Sequence, residues 1–222
     1  MIFNAFSLLA SAALASAAAV NMPRAASVSI TPHDRYSSSI GVLGCKINTD
    51  RVAYWPMSPS CNDICVKVSA NGRSVYLLRI DQSGGAHDIS YDAWNYLYVG
   101  KSATESPQYG GGIPATWEGV PMSNANCKAL LKGTGGRLAF SAANSMNFIT
   151  SCSSATWVGQ HNVLYNILNP VCTWGYDEIC TLPPPNVSNE PTCPHQLGVP
   201  VALTTQPVYN IDYGTGKKSL AV

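Results

Sequence analysis

Two carboxylates, Asp81 and Asp88, stand on either side of a glycine-bearing turn in the segment Cys61 to Trp94, CNDICVKVSANGRSVYLLRIDQSGGAHDISYDAW. The residue types read in order as a hairpin, a strand ending in Asp81, the turn at Gly84-Gly85, then Asp88 and a short helix. Two acids brought near one another beside exposed backbone allow three outcomes. They can flank a glycosidic bond, one protonated and one ionised, and hydrolyse it. They can stay ionised and hydrogen-bond sugar hydroxyls in a groove without cutting. Otherwise they are structural, with Asp88 capping the helix and Asp81 tying down the turn. Asp88 lies just ahead of a helix N-terminus, which favours its anion and works against the raised pKa of a general acid. His87 adjoins Asp88 and could orient it.

Strands must hold these acids in place. Ser27 to Ile30 alternates and predicts a first strand, and Arg51 to Trp55 predicts another, stopped by Pro56. Cys65 to Val68 and Ser74 to Ile80 form a hairpin at Asn71-Gly72, because both turn residues tolerate the positive φ that a tight primed turn requires. Ser90 is placed to cap the helix and Asp92 sits in its first turn, where the helix dipole favours an anion. Ile89, Ala93 and Leu97 share one face before Gly100 ends it. A last strand runs from Ile113 to Val120. Flat rings stack on apolar sugar faces, and Tyr54, Trp55, Tyr91, Trp94, Tyr109 and Trp117 lie in or around this unit. Trp94 and Trp117 read as core residues; Tyr91, beside Asp88, is the groove candidate.

The chain after Lys132 differs in character. Leu138, Ala142, Met146 and Ile149 keep helical spacing, as do Val163, Leu164, Ile167 and Leu168, with Asn162 as cap and Pro170 as stop. Beyond Cys180 the chain is proline-rich and reads as extended. Asn186-Val187-Ser188 is an acceptor sequence for glycosylation.

Residues 1–19 read as a signal peptide: an alanine-rich apolar run from Ala5 to Val20 with small-residue cleavage sites, too short for a membrane span. The eight cysteines, Cys45, Cys61, Cys65, Cys127, Cys152, Cys172, Cys180 and Cys193, all follow it. An even count in an exported chain implies disulfides, and eight permit roughly a hundred connectivities, so counting does not choose among them. Oxidised cysteines exclude Cys-His nucleophilic chemistry. Metal is not expected, because Cys61-x-x-x-Cys65 has no matching second pair and His33, His87, His161 and His195 are scattered. Charged residues make up 11% of the chain with a net charge of +1, so no basic stripe invites nucleic acid. No cofactor and no membrane partner are implied.

The stretch from Val28 to Val120 resembles the double-psi β-barrel (RlpA-like) superfamily of secreted proteins: loosenin and expansin-like, barwin-like and cerato-platanin-like. The resemblance rests on ordered short motifs: Leu43-Gly44-Cys45, Val52-Ala53-Tyr54-Trp55, Asn71-Gly72-Arg73-Ser74-Val75, Arg79-Ile80-Asp81, Gly84-Gly85, Asp88-Ile89-Ser90 and Gly112 to Trp117. It departs from expansins in having Gln82-Ser83-Gly84-Gly85 where they carry Cys-Pro-Gly-Cys, and Ser83 where they carry an aromatic. The first-strand acid motif of the related endoglucanases has no match, since His33-Asp34-Arg35-Tyr36 is out of pattern.

The resemblance implies a mainly β fold: a six-stranded double-psi β-barrel with a short helix over residues 27–131, plus a disulfide-rich C-terminal extension over 132–222. Likeness to cerato-platanin implies Cys45 paired with Cys61 and Cys65 with Cys127. Asp88 matches the acid of the endoglucanases that expansins also require, and Asp81 would share its groove, with residues near Thr31 and Tyr36 lining the other wall. The implied function is binding and loosening of cell-wall polysaccharide, β-glucan, cellulose or chitin, without hydrolysis, by an extracellular protein of fungal type. Two alternatives stand beside it: a module that binds a host or extracellular protein, as protease inhibitor or elicitor, and a weak endoglycosidase.

Overall fold

The computed structural model describes residues 26–184 and 187–222, so the expected signal peptide and the acceptor Asn186 lie outside the described residues. Six strands close into a barrel: β1 (Ala26–His33), β2 (Val52–Trp55), β3 (Cys65–Ala70), β4 (Arg73–Gln82), β5 (His87–Ser90) and β6 (Ile113–Val120). Around the barrel they lie in the order β1-β5-β2-β4-β3-β6, and β6 pairs back onto β1. Two pairs are parallel, β1 with β5 and β2 with β4. This mixed, closed arrangement is consistent with a double-psi barrel.

Local chemistry sets the corners. Asn71 and Gly72 both take positive φ, 51° and 73°, and close the β3–β4 hairpin as their types predict. Helix α1 (Tyr91–Val99) ends at Gly100, whose φ of 83° is open to a residue without a Cβ. Ile89, Ala93, Trp94 and Leu97 bury the α1 side of the barrel against Trp55, Val66, Val68 and Leu77.

The same strands are buried on their other face too. Val52, Tyr54, Leu78 and Ile80 join Leu43, Ile47, Phe140, Val163 and Leu164 in a second core, which the chain after residue 132 completes. A short α2 (Ala125–Lys128) precedes that chain, which then forms β7 (Leu138–Ser141), α3 (Met146–Ser151), α4 (Trp157–Gln160), β8 (Asn162–Ile167) and β9 (Gly175–Cys180). β7, β8 and β9 form a three-stranded sheet, and β10 (Tyr209–Ile211) pairs with β11 (Lys218–Leu220) as a terminal hairpin. The helices expected over 138–149 and 163–168 are therefore corrected: only Met146–Ser151 is helical, and the other apolar runs are strands. β7 and β8 pair in parallel and are buried almost throughout, so they carry unbroken apolar runs that periodicity alone cannot tell from a helix.

All eight cysteines are bonded: Cys45–Cys172, Cys61–Cys152, Cys65–Cys127 and Cys180–Cys193. The implied Cys65–Cys127 link holds. The implied Cys45–Cys61 link does not, because both cysteines reach into the extension instead, across 127 and 91 residues. Closing loops of that length stabilises a fold by about 4 to 5 kcal/mol each in the chain-entropy account. Lys46, 9% exposed, adds an ion pair across the same seam, 2.8 Å from Asp177 and 4.8 Å above the Tyr165 ring.

Barrel and extension thus share one core, and cutting between them lays open Leu43, Tyr54, Leu78 and Ile80. A fragment of residues 26–131 is expected to aggregate or to lack near-ultraviolet circular dichroism. A monodisperse fragment with native-like dichroism would refute the shared core.

Candidate functional site

Parallel pairing of β1 with β5 sets Thr31 opposite Asp88, and the Thr31 hydroxyl donates to the Asp88 carboxylate. Both are half-buried. On the far side of β5, Tyr54 lies opposite Asp88, and its ring centroid is 4.4 Å from that of His33. Since alternate residues of a strand face opposite ways, Ser29, Thr31 and His33 share a face of β1. Gly112 crosses it so closely that an added Cβ would collide with Ser29 Oγ.

Asp81 has a different fate. It lies opposite Tyr54 from the β4 side, so the two acids flank one buried tyrosine, about 10 Å apart across the sheet at ordinary strand spacing. Asp81 is only 8% exposed. Its carboxylate accepts from Ser37 Oγ at 2.5 Å, the Ser39 amide at 2.8 Å and the Gln82 amide at 2.8 Å. The expected trough holding both acids is therefore not formed: Asp81 anchors the 37–39 loop. Tyr54, between them, is fully enclosed, and burial pushes its phenol well above the ordinary value.

Two further groove candidates are corrected. Tyr36 is buried, its hydroxyl donating to Val42 O at 2.7 Å and its amide to Asn210 Oδ1 at 2.8 Å. Tyr91 is 2% exposed, donating to Gln108 O at 2.7 Å and accepting from the Gly214 amide at 3.1 Å. The terminal hairpin covers both. It crosses the mouth of the barrel and leaves a crevice of about 20 Å³ beside Tyr36, Tyr54 and Tyr91. The run Tyr209-Asn210-Ile211, a turn bearing Gly214 and Gly216, then Lys218-Ser219-Leu220 signals a hairpin in the sequence. That signal says nothing of where the hairpin docks, and sequence reasoning misses it.

Neither acid caps α1. Ser90 occupies the cap position but spends its hydroxyl on β2 and its approach, donating to Thr49 O and accepting from the Val52 amide. Asp92 in the first turn is the buried acid of the helix, 2.8 Å from the Arg51 guanidinium. Burial pushes the Asp92 carboxyl up, but hydrogen bonds from Ser102, Arg51 and the Ala103 amide outweigh it and hold it below the ordinary carboxylate value. Asp50 moves the other way, raised by burial and by the negative charge of Asp92. His87 faces away from Asp88, edge-on to Trp55, and burial lowers its imidazole more than Asp88 raises it. Trp94 is a core residue as expected, and Trp117 packs half-buried against the same cluster.

No group of side chains placed to hold a metal ion occurs among the described residues, and none of their helices is long and apolar enough to cross a membrane. No protein-family model matches this chain, and no curated protein or solved structure is significantly similar to it. The likeness to double-psi proteins therefore stands on motif order and barrel topology alone.

The two acids should separate in stability measurements. Asp81→Ala strips a buried, triply bonded carboxylate and is expected to cost about 3 kcal/mol in urea denaturation, against under about 1 kcal/mol for Asp88→Ala. Equal costs would contradict these environments. Asp92 supplies a pH test. Its folded value is depressed, so its contribution is complete above about pH 4 and is lost as pH falls through that lower folded value. Asp92→Asn should destabilise the protein at pH 7 and flatten its stability profile below about pH 4; an unchanged acid limb would refute the assignment.

Proposed function

We propose that this is an exported protein that binds and loosens cell-wall polysaccharide, β-glucan, cellulose or chitin, without cutting it, in the manner of expansin-like proteins. The observation that carries the reading is the half-buried Asp88–Thr31 pair, an ionisable acceptor left at the surface beside a barrel mouth whose other acid is withdrawn. A carboxylate with one hydroxyl donor keeps lone pairs free for sugar hydroxyls. Hydrolysis would need a second carboxyl across the bond, and Asp81 gives its lone pairs to three donors of its own chain. Four disulfides accord with an oxidising compartment, and the alanine-rich leader accords with export. A fungal wall is the setting that the resemblance suggests.

A second reading is favoured by Trp174, Ile179 and Val201, which are 46%, 52% and 39% exposed on the extension and could contact a host or extracellular protein. Sedimentation of the mature protein with insoluble cellulose, chitin and β-1,3-glucan separates the two. Retention on at least one glycan, lost in Asp88→Ala and without release of reducing sugar, is the expected result. Retention on none would overturn the glycan reading, and sugar release that Asp88→Ala abolishes would restore the glycosidase.

A further inference from the structure

We propose that Tyr109 and Tyr98 form an aromatic platform for the apolar face of a neutral β-linked pyranose, and that the terminal hairpin builds it. The proposal rests on the reading of a glycan binder and gives it a stacking subsite and a substrate class.

Tyr109 is 69% exposed and Tyr98 40%, and the two flank Gly110. Neither ring is loose. The Tyr109 ring lies against the α-carbon of Gly214 in the hairpin, where an added Cβ would collide with its Cε1, Cζ and Oη atoms. It also meets Tyr213 edge-on, with centroids 5.4 Å apart at 90°. The Tyr213 hydroxyl clasps Gly110 on both sides, accepting from its amide at 2.7 Å and donating to its carbonyl at 2.5 Å. Tyr98 packs on Trp94 at 5.0 Å, and Trp94 lies so close over Gly110 that a Cβ there would sit 2.8 Å from it.

Tyr109 is thus held by Gly214 against its ring and by Tyr213 perpendicular to it, yet stays 69% exposed. A held ring loses little freedom when a ligand stacks on it, so more of the contact appears as affinity. Tyr98, Tyr109, Tyr213 and the glycines around them carry no charge, which suits a neutral glucan or chitin and not a uronate. The platform also joins the Asp88 face. Tyr109 is three residues from Gly112, which packs on Ser29 and Thr31, so at most about 11 Å of chain separates them.

The test uses the mature full-length protein with insoluble cellulose and chitin, and cellohexaose and chitohexaose as soluble probes followed by isothermal titration calorimetry. Tyr109→Ala should lower affinity about tenfold, Tyr109→Phe should preserve it, and the melting curve of each should match wild type. Gly214→Ala, which displaces the ring, should weaken binding without touching a ligand-facing side chain. Loss in the tyrosine variants with Asp88→Ala unaffected supports the platform and overturns the Asp88 reading. Loss in Asp88→Ala with Tyr98→Ala and Tyr109→Ala unaffected does the reverse. Binding of wild type to none of these glycans overturns both.

Discussion

The buried hydrogen bond from the Tyr36 amide to the Asn210 side chain, 2.8 Å long, decides where the last strands of the chain lie. Once Asn210 is held there, Ile211 enters the α1 core, Tyr213 reaches Gly110, and the Gly214 amide meets the Tyr91 hydroxyl. An edge that would otherwise present two tyrosines to solvent becomes interior. The surface left behind is the Asp88–Thr31 pair and the ring of Tyr109.

That docking is one expression of a wider arrangement in which the barrel cannot stand apart from its extension. β2 is buried along its whole length because Ala53 and Trp55 join the core enclosed by the closed barrel, Trp55 against Trp117, while Val52 and Tyr54 join the core completed by the extension. A strand covered on both faces has no reason to alternate, and Val52-Ala53-Tyr54-Trp55 does not. The disulfides follow the same geometry. Cys45 and Cys61 lie on the covered side and bond to Cys172 and Cys152, while Cys65, at the start of β3, bonds within the barrel unit to Cys127.

The two acids divide the labour by environment. Asp81, turned inward, satisfies a serine hydroxyl and two amides and so fixes the loop that carries Tyr36. Asp88, one strand beyond Tyr54, has a threonine hydroxyl and partial solvent. Identical side chains seven residues apart thus take structural and surface roles.

Local chemistry was legible in the sequence wherever neighbours in the chain settle it. The Asn71-Gly72 turn, the helix stop at Gly100 and the strand from Ile113 to Val120 all follow from residue types over a few positions. What sequence could not supply was set by partners more than a hundred residues away: Cys172 for Cys45, Asn210 for Tyr36, Gly214 for Tyr91 and Tyr109. The apolar runs at Leu138 and Val163 carried no period to mark them as strands until each had the other to pair with. Side-chain type determined which groups can accept a sugar hydroxyl or stack on a ring. Burial, which depends on how distant segments pack, determined which of them face solvent.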